Sequence, residues 1–299
     1  MITSDCVEDE RIIIDGINWI RGWGLTTLRF ALSYQPSNED LFIVASPRCG
    51  TTWMQNLIYN LRTNGKPFNE NIQDFFEQNP QLETDGKRGI KQMKRPGTIK
   101  THLAIDRLQF NEQSKYICIV RNPIDVCVSF YFLYQMWFDV PKFDFNEFVE
   151  HFLNESLPFS GYFQCLSAAW NCRDRSNVLL ISYEQLTNQF DSSIRTIAQF
   201  LNIDIDEQLI DKVKRYSSFE YLKQHFDRER TEYERLFIEN IQDQTIRQRR
   251  QIIFQQEKHL KTIRNGKVNQ SKSLMSEEQI ERICHKLSMT CPQVKSLFS

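Results

Sequence analysis

No stretch of this chain approaches the ~20 consecutive apolar residues of a membrane span. The N-terminal run, MITSDCVEDERIII, carries acidic residues where a secretory leader has a basic start and an apolar core. A cytoplasmic protein with no membrane partner is expected. A surplus of either charge is also missing: 37 basic and 38 acidic residues leave a formal charge of −1. No overall field therefore exists to hold nucleic acid or an anionic membrane, and any anion site must be local. Eight cysteines are scattered without a CxxC pair, which excludes a recognisable zinc site or disulfide framework and suggests buried, reduced thiols. Internal repeats and low-complexity linkers are absent. What remains is 299 residues with 40% apolar side chains, enough to bury a large core as one α/β unit or as two smaller domains.

Strand-like apolar runs alternate with longer helical patterns, which points to an α/β fold with a central parallel sheet flanked by helices. The clearest strands are Leu41 to Ala45, Thr98 to Thr101, Tyr116 to Val120 and Val178 to Ser182, three of them continuous apolar runs of the kind buried on both faces. Helical patterns cover Thr52 to Arg62, Ile124 to Tyr134, Phe145 to Leu153, Tyr162 to Arg173, Gln185 to Leu201 and Ser276 to Leu287, with Asp144 and Ser276 as N-caps.

Between the first strand and the first helix lies SPRCGTTW, residues 46–53. A strand, a small-residue turn and a helix form the arrangement in which exposed backbone N–H groups and the helix dipole hold a phosphate. Gly50 permits close approach of the backbone. Thr51 and Thr52 add hydroxyl donors, and Arg48 supplies a permanent charge on a planar fork of donors. The G-x-x-x-x-G-K-[ST] pattern is absent, so this is a P-loop-like cradle built to work without a metal. Trp53 follows directly, and an indole there offers adenine a stacking surface worth ~1–3 kcal/mol in base-stacking systems. An ordinary strand-to-helix turn with a core tryptophan is the competing reading of this stretch alone.

PRCGTTW after a strand resembles Pro-Lys-Ser/Cys-Gly-Thr-Thr-Trp, the 5′-phosphosulfate loop of the cytosolic sulfotransferases. KTH at 100 to 102, YICIVRNPIDVCVSFY at 116 to 131, VLLISYEQL at 178 to 186, SSFEYLK at 217 to 223 and RNGK at 264 to 267 match family segments in the same order. The resemblance implies a single domain over 1–299, with its core between about residues 40 and 285. It implies transfer of a sulfuryl group from 3′-phosphoadenosine 5′-phosphosulfate (PAPS) to a hydroxyl or amine of a small molecule, with PAP as product and no metal.

The same resemblance assigns residues. Arg48, Cys49, Gly50, Thr51 and Thr52 hold the 5′-phosphosulfate. Arg121 and Ser129 grip the 3′-phosphate, on which Arg264 and the backbone amides of Asn265 and Gly266 also close. Trp53, Tyr183, Ser217 and Phe219 form the adenine slot. His102 is the expected general base, because an imidazole near pKa ~6.5 accepts an acceptor's proton at neutral pH. Lys100, two residues earlier on the same strand face, is implied to stabilise the sulfuryl group and departing phosphate together with Arg48. An apolar, mostly aromatic acceptor pocket is drawn from the regions around Trp19 to Ile20, Phe76 to Leu82, Leu133 to Trp137 and Phe237, with Phe76, Gln81, Leu133 and Trp137 as its chief lining. Such a pocket suits a phenol or lipophilic alcohol, and Gln81, where the family often has an aromatic gate, leaves room for a more polar, catecholamine-like acceptor.

Three features depart from the family pattern. Arg48 stands where lysine is usual, placing a wider fork beside the atoms transferred. NQSK replaces the family's Gly-Asp-Trp-Lys, and KSLMSEEQIE replaces the dimer motif Lys-x-x-x-Thr-Val-x-x-x-Glu, keeping Lys272 and Glu281 but putting Ser276 and Glu277 at the other two positions. A charge at the apolar position argues for a monomer or a weak homodimer. The segment from about 224 to 261 is long and dense in Arg, Glu and Gln, and is expected to form an enlarged lid or an interaction surface. Two rivals remain: a P-loop kinase, which needs a Mg²⁺ partner and a lysine where Thr51 follows Gly50, and a non-catalytic sulfotransferase-like binder of nucleotide or lipophile. Joint retention of Lys100, His102, Arg121 and Ser129 counts against the second.

Overall fold

The computed structural model describes residues 11–20, 24–138, 144–239 and 274–298. An antiparallel hairpin of β1 (Arg11–Ile14) and β2 (Ile17–Ile20) precedes α1 (Leu25–Ser33). Then come β3 (Leu41–Val44), α2 (Thr51–Arg62), α3 (Ile72–Gln78), α4 (Leu82–Gln92), β4 (Ile99–Thr101), β5 (Lys115–Val120), α5 (Pro123–Phe138), α6 (Phe145–Leu153) and α7 (Tyr162–Cys172). The chain continues through β6 (Val178–Ser182), α8 (Tyr183–Asn188), α9 (Phe190–Leu201), α10 (Glu207–Tyr216), α11 (Phe219–Glu239) and α12 (Glu277–Thr290).

The four expected strands form one parallel sheet in the order β4-β3-β5-β6. β3 is buried along its whole length, and β5 is buried from Tyr116 to Val120, as their unbroken apolar sequences require when helices cover both faces. Because β4 and β5 flank β3, the order in which strands are added reverses at β3. The loop after β3 therefore opens at a topological switch point, where α/β sheets bind ligands beyond the carboxyl ends of their strands. A second apolar cluster, Tyr59, Phe68, Phe75, Leu222 and Phe226, joins α2, α3 and α11 beside this end.

Local signals explain most element ends. The Asp144 carboxylate accepts from the amides of Asn146 and Glu147 at 2.7 and 3.1 Å, and Ser276 forms a reciprocal capping box with Gln279. Capping also accounts for Ser276 in the altered dimer motif, where the acidic Glu277 and Glu278 complement the helix dipole. One expectation is corrected. The apolar pattern from Gln185 to Leu201 reads as one helix, but the chain forms two, α8 and α9, separated at Gln189 with φ −133°. Ser182 caps α8 through its own capping box with Gln185, starting that helix at Tyr183. The β1–β2 hairpin turns on Asp15 and Gly16, both at positive φ (50° and 76°), the geometry that selects Asp-Gly in tight hairpins.

Of the charged 224–261 segment, residues to 239 continue α11; the remainder lies outside the described residues. Seven cysteines are described, all free. Five are buried, Cys172 is half-buried and Cys284 is exposed, so the expectation of buried thiols fails at that last position. Asp144→Ala should lower stability by ~1 kcal/mol, the usual cost of losing a side-chain cap. Urea unfolding checks it, with a lower midpoint and an unchanged slope expected.

Candidate active site

The stretch between β3 and α2 is tightly wound. Arg48 has φ 73° and Gly50 has φ 103°, the left-handed region that only glycine enters without steric cost. Gly50 is demanded twice over, since a Cβ there would lie 2.9 Å from Cδ2 of Tyr183. As the N-cap of α2, it has no side chain to satisfy the first amides of that helix, whose donors and dipole remain available to an anion. Thr51 is buried and Thr52 half-buried at the first turn, while Cys49 points into the core. Burial raises the Cys49 thiol to about 12 despite nearby Arg121.

Arg121 and Ser129 converge on this loop, as the Asn122–Pro123 break between β5 and α5 allows. Nε of Arg48 donates to Oγ of Ser129 at 2.9 Å. Nη1 of Arg121 donates to the carbonyl of Arg48 at 3.2 Å. The Arg121 guanidinium also lies over the Tyr183 ring, 4.1 Å from its centroid. Pro123 opens α5 directly, and Oδ1 of Asn122 accepts from the amide of Ile124 at 3.0 Å.

Trp53 is fixed by Nε1 donating to the carbonyl of Ser217 at 2.7 Å. Its ring meets Tyr183 edge-on at 5.3 Å and Phe190 at 5.5 Å. Oγ of buried Ser217 accepts from both Asn56 and Asn60, each at 3.2 Å. Phe219 begins α11 and is half-buried, with the Lys223 ammonium 5.9 Å from its ring. The structure thus gathers Trp53, Tyr183 and Ser217 in one place, with Phe219 two residues beyond Ser217.

His102 follows β4, and its buried ring bonds through Nδ1 to the carbonyl of Ala45, 2.7 Å away. A carbonyl only accepts, so Nδ1 carries the proton and Nε2 keeps its lone pair. Burial is the main cause that lowers the His102 pKa to about 3, followed by the charges of Lys100 and Arg48. Lys100 is half-buried, and its pKa falls to about 8, first from burial and then from Arg230, against the opposing charges of Asp85 and Glu83.

The Lys100 amide bonds to the carbonyl of Pro80 at 2.9 Å and Gln81 bridges to Lys100, so the segment before α4 extends the sheet edge. The Gln81 amide itself donates to Asp85 at 2.7 Å. Phe76 stacks on Tyr233 of α11 at 4.5 Å. Leu133 is half-buried against the main core. Trp19 is fully buried one ring further back, edge-on to Phe159 at 5.4 Å, and Phe159 in turn meets His102 at 5.1 Å. Arg264, Asn265, Gly266, Lys272 and the side chains of Trp137 and Phe237 lie outside the described residues.

Sequence reasoning missed Glu83. It sits directly after the segment read as acceptor lining, and no spacing marks it, yet its carboxyl group receives the amides of His102 and Leu103. Asn56 and Asn60 were also unmarked, although their i, i+4 spacing on α2 gives one polar face able to receive Ser217.

A glycine-turned loop at the switch point of a parallel sheet, with Arg48 and Arg121 on it and Lys100 close to His102, has the chemistry suited to group transfer of a phosphate-like anion. Among the described residues no cluster of ligands suits a metal ion, and no helix is long and apolar enough to cross a membrane. The sulfotransferase domain family matches residues 38–288. Bovine sulfotransferase 1E1 is 30% identical over 200 residues, 64% of this chain and 68% of that protein. Human sulfotransferase 1C2 is 27% identical over 203 residues, 64% of this chain and 69% of its own length. The solved structure of mouse sulfotransferase SULT7A1 complexed with PAP shares the fold at a TM-score of 0.73, with 20% identity over 96% of this chain and 95% of that one. A retinol dehydratase solved with retinol and PAP aligns at 0.71, with 18% identity over 94% and 88%. The chain belongs to the sulfotransferase domain family, the family its motifs resemble, and is a sulfotransferase.

Two pH effects follow. A histidine held near pKa 3 when folded and near 6.5 when unfolded adds stability above pH 6.5 that is lost as pH falls toward 3, because only the unfolded chain takes up the proton. Thermal unfolding of wild type and His102→Gln should diverge across that window, the variant losing less stability. The Lys100 ammonium near pKa 8 should give kcat/KM for the donor an alkaline limb near pH 8, read from a pH–rate profile.

Proposed function

We propose that the protein transfers the sulfuryl group of PAPS to a hydroxyl, or to an amine, of a small and largely apolar acceptor, with His102 as general base. The observation that carries this reading is the His102 Nδ1–Ala45 bond, 2.7 Å long. It leaves Nε2 unprotonated at neutral pH beside the loop that would hold the donor. The residues present fit that donor: the turn can pack against Tyr183 only because residue 50 is glycine, and its flanking cations match an anion of high charge. PAPS supplies an activated sulfuryl group on a phosphate leaving group.

The turn from Arg48 to Thr52 would hold the 5′-phosphosulfate. Arg121 and Ser129 would take the 3′-phosphate, and Trp53, Tyr183, Ser217 and Phe219 the adenine. Arg264, Asn265 and Gly266 are proposed from their motif alone. As the acceptor oxygen forms its bond to sulfur and the bond from sulfur to the bridging oxygen breaks, Nε2 of His102 takes the hydroxyl proton. Lys100 and Arg48 then face the charge gathering on the departing phosphate oxygen. The low pKa of His102 reflects burial beside two cations, and an anionic donor counters that field and makes the ring a better base.

Phe76, Gln81, Leu133 and Trp137 are proposed to line the acceptor side. The stacking of Phe76 on Tyr233 supports an aromatic wall suited to a phenol or lipophilic alcohol. The near-neutral net charge of −1 supports a small-molecule acceptor over an acidic polymer.

Calorimetric titration with adenosine 3′,5′-bisphosphate in EDTA tests the donor site before any acceptor is known. Tight, metal-independent binding, preferred over ADP with or without Mg²⁺ and weakened in Arg121→Ala, is expected. Preference for Mg²⁺-ADP would replace this reading with a kinase-like one. In a transfer assay against a panel of phenols and alcohols, His102→Ala should lower kcat by ~10²–10⁴-fold while leaving PAP affinity intact.

A further inference from the structure

Glu83, the second residue of α4, is fully buried in the main core of the enzyme. Burial of a carboxyl is costly unless its oxygens are hydrogen-bonded, and here the donors are unevenly shared. Oε1 accepts three, all from consecutive residues: the Thr101 hydroxyl, the His102 amide at 2.6 Å and the Leu103 amide at 3.0 Å. Oε2 is enclosed with no hydrogen-bond partner among the described residues. A side chain whose whole bonding capacity is spent on the end of β4 acts on that backbone.

The backbone concerned is the one that carries the ring. Nδ1 of His102 must meet the Ala45 carbonyl at 2.7 Å, on the neighbouring strand, while Phe159 closes its other side at 5.1 Å. After β4 the sheet ladder stops, so the amides of residues 102 and 103 have no strand partner. Glu83 provides the acceptor of the His102 amide and shares the Leu103 amide with Oγ1 of Thr101, 3.1 Å away. Without it, the buried His102 amide would turn to find another acceptor, and the imidazole would turn with it.

We infer that Glu83 is a positioning residue for the transfer reaction: through Oε1 it clamps residues 101–103 so that the His102 ring bonds to Ala45 and presents Nε2 to the acceptor. This rests on the reading of His102 as the base. It requires an acceptor oxygen at the right depth, not a negative charge, which separates it from a simple electrostatic role.

Three variants read it out. Glu83→Gln keeps a side-chain oxygen at the same reach and should hold kcat within ~3-fold of wild type. Glu83→Asp keeps the carboxylate but withdraws it by one methylene, and should lower kcat by ~10–100-fold, the scale on which small misplacements act. KM for PAPS and calorimetric PAP affinity should stay unchanged in both, which also shows that each has folded. The third is the pair Glu83→Asp with His102→Ala, whose kcat should equal that of His102→Ala alone, since a residue that acts only through the histidine has nothing left to position.

Glu83→Asp with wild-type kcat would overturn the inference, as would a loss in Glu83→Gln equal to that in Glu83→Asp. A further drop in the double variant would likewise assign Glu83 a role independent of His102. Wild-type kcat in His102→Ala would instead remove the base reading and the inference with it. An inactive His102→Ala beside a fully active Glu83→Asp removes the inference alone.

Discussion

A hydrogen bond 2.7 Å long, between His102 Nδ1 and the carbonyl of Ala45, joins the ends of two neighbouring strands of the sheet. Much else is arranged around it. Ala45 sits at the end of a buried apolar strand and opens the phosphate cradle, so the carbonyl is rigid and faces the next strand. His102 lies just beyond the last residue of β4 because Thr101 still pairs with Val44. The bond therefore links the setting of the proposed base to the register of β3 and β4. A one-residue slip would send His102 to the opposite face, since side chains alternate along a strand.

The cations around this bond do opposite things to different groups. Lys100 and Arg48 both depress the histidine, and Lys100 is itself depressed by burial. The protein thus holds a neutral imidazole beside an ammonium close to losing its proton. Neither condition is comfortable in the absence of an anion, and both ease when negative charge enters. Electrostatic strain of this kind favours the bound form without any change in backbone. Arg48 differs from the two groups beside it because its guanidinium keeps its charge at any working pH and its Nε is already committed to Ser129.

Much of the sheet and the site was legible because the chemistry is local in sequence. PRCGTTW, KTH and RNP each place a strand end and a candidate side chain within a few residues, so a reading of strands also locates the candidate site. What escaped was of two kinds. The hairpin at Asp15–Gly16 and the break at Gln189 are local signals overlooked beneath continuous apolar patterns. Glu83, Phe159 and the Asn56–Asn60 pair are different, because their meaning depends on residues 19 to 161 positions away. A buried carboxylate is a contradiction in sequence, resolved only by the three donors that folding brings to it. The start of the last helix was legible, since Ser276 reads as an N-cap and forms a capping box with Gln279.

The wall of the proposed nucleotide slot is joined across the chain by the Trp53–Ser217 bond, which spans 164 residues, and by the asparagines that hold the Ser217 hydroxyl. During synthesis, the loop from Arg48 to Thr52 emerges first, but Arg121, Ser129 and Tyr183, which close on it, and Ser217, which fixes Trp53, follow only later. The proposed anion site and the proposed adenine slot thus both wait for distant segments, and occupancy by nucleotide would be reserved for the finished fold.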